Sequence, residues 1–217
     1  MSTRIIIFAK APVAGRAKTR LMSVLGAEGA ARLARHMLTS TVDACLGAAI
    51  GPVELCMSPS LNHPEWADIN LPLALELSHQ GEGDLGCRMA RAAHRALVDH
   101  GAQQVLLVGT DCPQLSPELL RHSARCLSSL DAVLHPTRDG GYALLGLRQF
   151  NPHLFTDMPW STPQVAALTQ TRLAALGWRY QRAEQLQDID EPQDLLWLTA
   201  SWVKALQTPI TEASHHV

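Results

Sequence analysis

The stretch Gln104-Val105-Leu106-Leu107-Val108-Gly109-Thr110-Asp111-Cys112-Pro113 decides the fold class. Its first half is an almost wholly apolar run of strand length, the pattern of a strand buried on both faces in a parallel sheet. Ahead of it, Leu85, Met89, Ala93 and Leu97 fall at helical spacing, and the pattern stops near Gly101, which predicts a helix ending there. A helix followed by a buried strand is the core of a βαβ unit. Asp111 then falls just beyond the strand's carboxyl end, where open α/β sheets present their chemistry.

The same alternation extends in both directions. Arg4–Ala9 is a compact β-branched run and predicts the first strand. An Ala-rich helix from about Gly26 to Ala49 carries Leu33, Met37 and Leu38, and Val53–Met57 reads as the second strand. Residues 58–70, rich in Pro, Asn and His, read as a loop with at most one helical turn, and Leu73–Ser78 alternates weakly as a third strand. Ser116-Pro117-Glu118 has the chemistry of a helix start. Asp131–His135 and Tyr142–Leu147 flank the turn Arg138-Asp139-Gly140-Gly141, either as a hairpin or as separate strands. Ser161-Thr162-Pro163 is expected to cap a helix bearing Val165, Leu168, Leu173 and Leu176; Trp178–Ala183 is a last strand, and Glu191–Leu206 a final helix. This order implies an α/β protein: three α/β/α layers around a mainly parallel sheet, in one domain over 1–207. Residues 208–217 lack periodicity and read as a disordered tail.

Composition narrows the partners. The 18 Lys and Arg residues nearly balance 20 Asp and Glu, so neither nucleic acid nor an anionic membrane is suggested by charge. The five cysteines, odd in number and widely spaced, read as reduced thiols, and no apolar run has signal or membrane-span length, so a cytoplasmic protein is expected. Small molecules are the expected partners, with a homodimer left open.

Lys10-Ala11-Pro12-Val13-Ala14-Gly15-Arg16-Ala17-Lys18-Thr19-Arg20 follows the first strand, a prime ligand position. Pro12 and Gly15 suggest a turn whose backbone can approach a ligand, and Lys10, Arg16, Lys18 and Arg20 supply cations for a di- or triphosphate. A P-loop is excluded because no glycine stands at the required place upstream of Lys18-Thr19. A dinucleotide fingerprint is excluded because Gly15 stands alone until Gly26. A solvated basic loop is the bland alternative.

Asp111 is the candidate ligand for a hard divalent cation, which takes one or two carboxylates and completes its shell with phosphate and water. A turn-organising Asp before Pro113 is the alternative, and Cys112, without a basic neighbour in sequence, reads as a packed thiol. In Asp188-Ile189-Asp190-Glu191-Pro192 the two aspartates point the same way, so either can face the site while the other caps the helix, and Asp190 is the candidate second ligand. Gln80-Gly81-Glu82-Gly83-Asp84 and Arg88 open a helix whose free amides, with Gln80 and Arg88, are candidates for holding a nucleotide; Asp84 as a plain N-cap is the competing reading. Asp139-Gly140-Gly141 either admits an acceptor close to the backbone or is only a tight turn.

Phe8-Ala9-Lys10-Ala11-Pro12 with Gly15 and Lys18-Thr19-Arg20-Leu21, Gln80-Gly81 with Gly83-Asp84-Leu85-Gly86, Gly109-Thr110-Asp111-Cys112-Pro113, Asp139-Gly140-Gly141-Tyr142, Trp160-Ser161-Thr162 and Asp188-Ile189-Asp190 together resemble the DUF2064, or glycosyltransferase-A-like, family. Its members are often described as arsenosugar-biosynthesis glycosyltransferases and are similar to guanylyltransferases of cofactor synthesis. The resemblance spans about residues 4–200. It implies a Rossmann-like nucleotide-diphospho-sugar transferase (GT-A) fold, nucleotide phosphates on the first loop, and Mg²⁺ or Mn²⁺ at Asp111, with Asp190 reaching the same metal. Lys10-Ala11-Pro12 stands in place of the G-x-G opening of many sugar nucleotidyltransferases, which leaves the base open.

Two activities share one charge arrangement. In a glycosyltransferase, metal and cations stabilise the departing diphosphate, Lys18 and Asp111 belong to the catalytic set, and Asp139 is a candidate base toward an acceptor hydroxyl. In a nucleotidyltransferase the same groups hold a triphosphate and pyrophosphate leaves. The four loop cations lean toward the second and the family's description toward the first. A non-catalytic nucleotide-binding protein is the alternative of another class.

Overall fold

A computed structural model describes residues 2–207, so the expected tail at 208–217 lies outside the described residues. The chain runs β1 (Thr3–Lys10), α1 (Met22–Ala48), β2 (Val53–Ser58), β3 (Glu76–His79), α2 (Leu85–His94), β4 (Gln104–Val108), α3 (Pro117–Cys126), β5 (Ala132–Pro136), β6 (Tyr142–Leu147), α4 (Val165–Ala175), β7 (Tyr180–Arg182) and α5 (Ala200–Gln207). The strands form one sheet in the order β3-β2-β1-β4-β6-β5-β7. Every neighbouring pair is parallel except those made by β6, which runs antiparallel to β4 and β5.

β1 shows why three layers form. Ile5, Ile6 and Ile7 are all fully buried. Because side chains alternate across a sheet, Ile5 and Ile7 pack with Leu38 and Val42 of α1 and Leu120 of α3, while Ile6 packs with Met89 of α2 and Leu173 of α4. Burying such a side chain contributes about 1.5–3 kcal/mol. A strand with apolar residues at consecutive positions therefore needs helices on both faces.

Several elements differ from expectation. In α2 the buried line is Gly86, Met89, Ala92 and Ala93, while Leu85 is exposed. A Cβ at Gly86 would stand 2.3 Å from the Phe155 carbonyl oxygen, so close packing on the glycine, not the leucine spacing, sets the helix's rotation. Residues 138–141 join a hairpin, β5–β6, which resolves that alternative. The third strand starts at Glu76, leaving Leu73 exposed. α4 begins at Val165 with no side-chain cap from its N-cap residue Gln164; the Thr162 hydroxyl donates to the Pro159 carbonyl at 2.7 Å and accepts from the Gln164 amide at 3.5 Å. The expected final helix is split: a 3₁₀ segment over Pro192–Trp197 ends at an extended Leu198 before α5 begins. Thr199, a residue type that favours helix starts, stands at the break.

Candidate active site

The loop after β1, the end of β4 and the turn 188–190 converge on one ammonium group. After Gly15, whose φ of 79° is left-handed, the chain places Lys18 at φ 47° and ψ 47°. This conformation costs an L-residue about 1–2 kcal/mol. Lys18 Nζ donates to the Ile189 carbonyl at 2.8 Å and to Asp190 Oδ1 at 2.7 Å, and makes a close ion pair with Asp111 Oδ1. The lysine side chain is 8% exposed, against 48% for Asp111 and 38% for Asp190. Burial pulls the ammonium pKa down, but the Asp111 and Asp190 carboxylates outweigh it and hold the value above the ordinary 10.5.

The turn is fastened to β4 by the Ile189 amide, which donates to the Asp111 carbonyl at 3.0 Å. Ile189 is buried against Leu21, Leu33 and Met37, so the flanking Asp188 and Asp190 both face the cleft. Neither caps the following helical segment, since Glu191 and Asp194 form a capping box there. Asp188 is only 6% exposed. Burial first, then the charge of Asp139, raises its carboxyl to about 6. Cys112 is buried with its thiol pKa raised by burial, as suits a packed residue.

Among the described residues no group of three His, Cys, Asp or Glu has the closeness of a closed metal site. The donors that meet at Lys18 are nevertheless all oxygen, two carboxylates and a carbonyl. This set fits a hard divalent cation that keeps water and phosphate in its shell.

The surrounding cleft has a volume of about 740 Å³ and is lined in part by Lys10, Arg16, Thr19, Arg20, Arg88 and Asp139. The loop's cations do not stand unopposed: Arg16 pairs with Glu65, and Arg20 lies 3.8 Å from Glu191. The lean toward triphosphate that comes from counting charges in the loop is thereby weakened, because acids distant in sequence fold against it.

Pro12, Gly15 and Gly81 do not line the cleft. Pro12 is buried beneath the loop, and a Cβ at Gly81 would stand 2.3 Å from Arg91 Nη1, so this glycine makes room for an arginine and not for a ligand. Gln80 lines the cleft, but its amide donates to the Ala9 and Cys56 carbonyls at 3.1 and 3.0 Å, and its Oε1 accepts from Arg88 Nη1 at 3.4 Å. Asp84 is the N-cap of α2; the Cys87 amide that it binds at 2.8 Å lowers its carboxyl pKa. Arg88 donates from Nε to the Gly83 carbonyl at 2.9 Å, which fixes the guanidinium at the cleft edge. Asp139 Oδ1 accepts from the Thr137 hydroxyl at 2.5 Å and the Gly141 amide at 2.8 Å. The space above Gly140 belongs to Pro163, whose carbonyl oxygen would stand 2.2 Å from a Cβ there, so at this glycine the tight-turn reading holds.

Tyr142 and Trp160, to which residue type and spacing give no role, form one wall of the cleft, their rings meeting edge-on at 6.4 Å and 76°. The motif Trp160-Ser161-Thr162 was the available signal. Glu65 and Glu191 meet Arg16 and Arg20 from distant positions, so nothing in the loop's own sequence marks them.

A comparison with curated proteins finds no match. Among solved structures, a "putative nucleotide-diphospho-sugar transferase" from Desulfovibrio desulfuricans G20 is 31% identical, with 90% of this chain and 85% of that one covered and a TM-score of 0.83. A CMP:2-keto-3-deoxy-manno-octonic acid synthetase complexed with CTP is 13% identical over 94% of this chain and 99% of its own, with a TM-score of 0.58. Rv0371c from Mycobacterium tuberculosis H37Rv, complexed with manganese, is 16% identical over 95% and 97%, with a TM-score of 0.50. The sheet is thus that of the nucleotide-diphospho-sugar transferase and nucleotidyltransferase fold. A model of DUF2064, described as an uncharacterized protein conserved in bacteria, matches residues 41–162, and with the Desulfovibrio relative it shows that this chain belongs to the DUF2064 family.

Proposed function

We propose that this chain is a metal-dependent glycosyltransferase that moves a sugar from a nucleotide diphosphate sugar to a small acceptor. The convergence of Asp111, Asp190 and Lys18 at the ends of β1 and β4 carries this reading. The description of the Desulfovibrio relative and the manganese in the mycobacterial structure support it.

Asp111 and Asp190 would hold Mg²⁺ or Mn²⁺, which supplies positive charge to the departing diphosphate. Lys10, Arg16, Thr19 and Arg20 bind the phosphates, and Lys18, once released from the carboxylates, turns its ammonium to them. Gly83, Arg88 and Gln80 Oε1 border the nucleoside. The acceptor oxygen bonds to the anomeric carbon while that carbon's bond to the phosphate oxygen breaks. The diphosphate leaves with the electron pair, and the hydroxyl proton passes to a carboxylate, for which Asp139 is the candidate. The five cysteines, none in a disulfide, support a cytoplasmic setting, and no helix among the described residues is long and apolar enough to cross a membrane.

A thermal-shift panel of nucleoside triphosphates and nucleotide sugars, each with Mg²⁺ and Mn²⁺, tests the donor. A ligand at 100 times its dissociation constant stabilises by about 2.7 kcal/mol. Preference for a triphosphate, with pyrophosphate release, would make the chain a nucleotidyltransferase. Nucleotide binding without turnover would make it a binding protein.

A further inference from the structure

The cleft beyond Lys18 carries negative charge that the donor half does not use. Past the end of β5, Thr137 and Leu186 form a parallel bridge. The Leu186 amide donates to the Pro136 carbonyl at 2.8 Å and Gln185 Nε2 to the Thr137 carbonyl at 3.1 Å. The segment leading to Asp188 therefore runs beside the one leading to Asp139, and each carboxylate lies two residues beyond the bridge and borders the cleft.

Asp188 is 6% exposed, and among the described residues its own backbone amide donates to its carboxylate while no Lys or Arg pairs with it. The charges that act on it, from Asp139, Asp190 and Asp194, all share its sign. Lys18 is held by Asp111 and Asp190. Arg138, adjacent to Asp139, is directed elsewhere, with Nη1 3.4 Å from Gln187 Oε1 and its guanidinium 4.7 Å over the Trp197 ring. A buried carboxylate without a counter-ion is costly, and functional sites are where such groups are kept. Tyr142 and Trp160 border the same cleft and add apolar faces of the kind that pack on carbohydrate rings.

We infer that the acceptor is an unphosphorylated polyhydroxyl compound whose hydroxyls donate to Asp188 and Asp139, and that this pair of carboxylates repels phosphorylated acceptors. The inference rests on the glycosyltransferase reading and specifies its second substrate. Like-charge juxtaposition supplies the discrimination, since among the described residues no Lys or Arg is paired with either carboxylate to offset a phosphate placed beside them. The transfer step is the one given above, with the hydroxyl's proton leaving to the carboxylate side of the cleft.

The full chain with Mg²⁺ is assayed with nucleotide sugars and, separately, with nucleoside triphosphates. Each donor is tested against glycerol and glucose, and against glycerol 3-phosphate and glucose 6-phosphate, reading nucleoside diphosphate or pyrophosphate release above the rate without acceptor. The polyols should raise release at least about tenfold more than their phosphorylated counterparts. Asp188→Asn should raise the half-saturating polyol concentration about tenfold, with the half-saturating donor and Mg²⁺ concentrations moving less than about threefold. Asp188→Ser serves if the first variant does not fold. The inference is overturned if the phosphorylated acceptors are preferred or if neither polyol raises release. It is also overturned if Asp188→Asn shifts the Mg²⁺ requirement instead of the polyol's, which would make Asp188 a metal ligand. Pyrophosphate release without nucleoside diphosphate release would sink the glycosyltransferase reading alone, because the acceptor comparison with triphosphates still decides the acceptor's class.

Discussion

Lys18 donates a 2.7 Å hydrogen bond to Asp190, a residue 172 positions away in the chain. The same ammonium pairs with Asp111, so one side chain joins the first loop, the central strand and the last turn. It stands where a divalent cation would find two carboxylates, and the two cations should compete.

Lys18→Ala should bind Mn²⁺ more tightly than the parent in the absence of nucleotide, by paramagnetic titration. It should also be less stable by about 1–2 kcal/mol in metal-free urea denaturation, since two partly exposed carboxylates lose their shared counter-ion. Unchanged Mn²⁺ affinity would mean that ammonium and metal do not share a position.

Asp111→Asn should abolish the metal dependence of nucleotide binding and reduce turnover by about 100-fold or more. Calorimetric titration of nucleotide with and without Mg²⁺ checks this. Metal dependence that survives the substitution would move the metal elsewhere.

Asp188→Asn should stabilise the metal-free protein at neutral pH. The folded carboxyl, raised to about 6 from 3.8, favours the protonated form, so its cost is absent below about pH 4 and grows as pH rises through 6. At 1.36 kcal/mol per pH unit the gap amounts to about 3 kcal/mol, an upper limit in a cleft open to water. Melting temperatures of parent and variant should therefore coincide near pH 4 and separate by pH 7. A variant less stable at neutral pH would point to an unrecognised partner.

His135 titrates in the opposite sense. It is buried, with Nε2 3.0 Å from the Ser123 hydroxyl and Nδ1 3.2 Å from the Glu184 carbonyl oxygen, and burial holds its pKa below 6.5. The native state favours neutral imidazole, so its contribution is intact above 6.5 and is lost as pH falls through the lower folded value. Between pH 7 and 5 the parent should lose more stability than His135→Gln. Equal losses in the two proteins would show that His135 does not contribute.

Much of the sheet was legible because burial on both faces leaves a local trace. Ile5-Ile6-Ile7 and Val105-Leu106-Leu107-Val108 need nothing but their own composition to be recognised as interior strands. The rotation of α2 was not legible, since it follows from a glycine pressed on the Phe155 carbonyl, a residue far along the chain. The break at Leu198 had only Thr199 as a sign.

The site divides in the same way. By itself the sequence determined an α/β chain of the DUF2064 kind, with a basic loop after its first strand and an aspartate at the end of its central one, because strand patterning and residue type are local properties. Tertiary structure alone decided that Lys18 turns from the phosphate side to Asp111 and Asp190, that Glu65 and Glu191 offset Arg16 and Arg20, and that Asp188 lies buried beside Asp139 without a counter-ion. Each of these depends on which distant charges are brought within a few ångströms, and electrostatic energy follows that separation, not the order of residues along the chain.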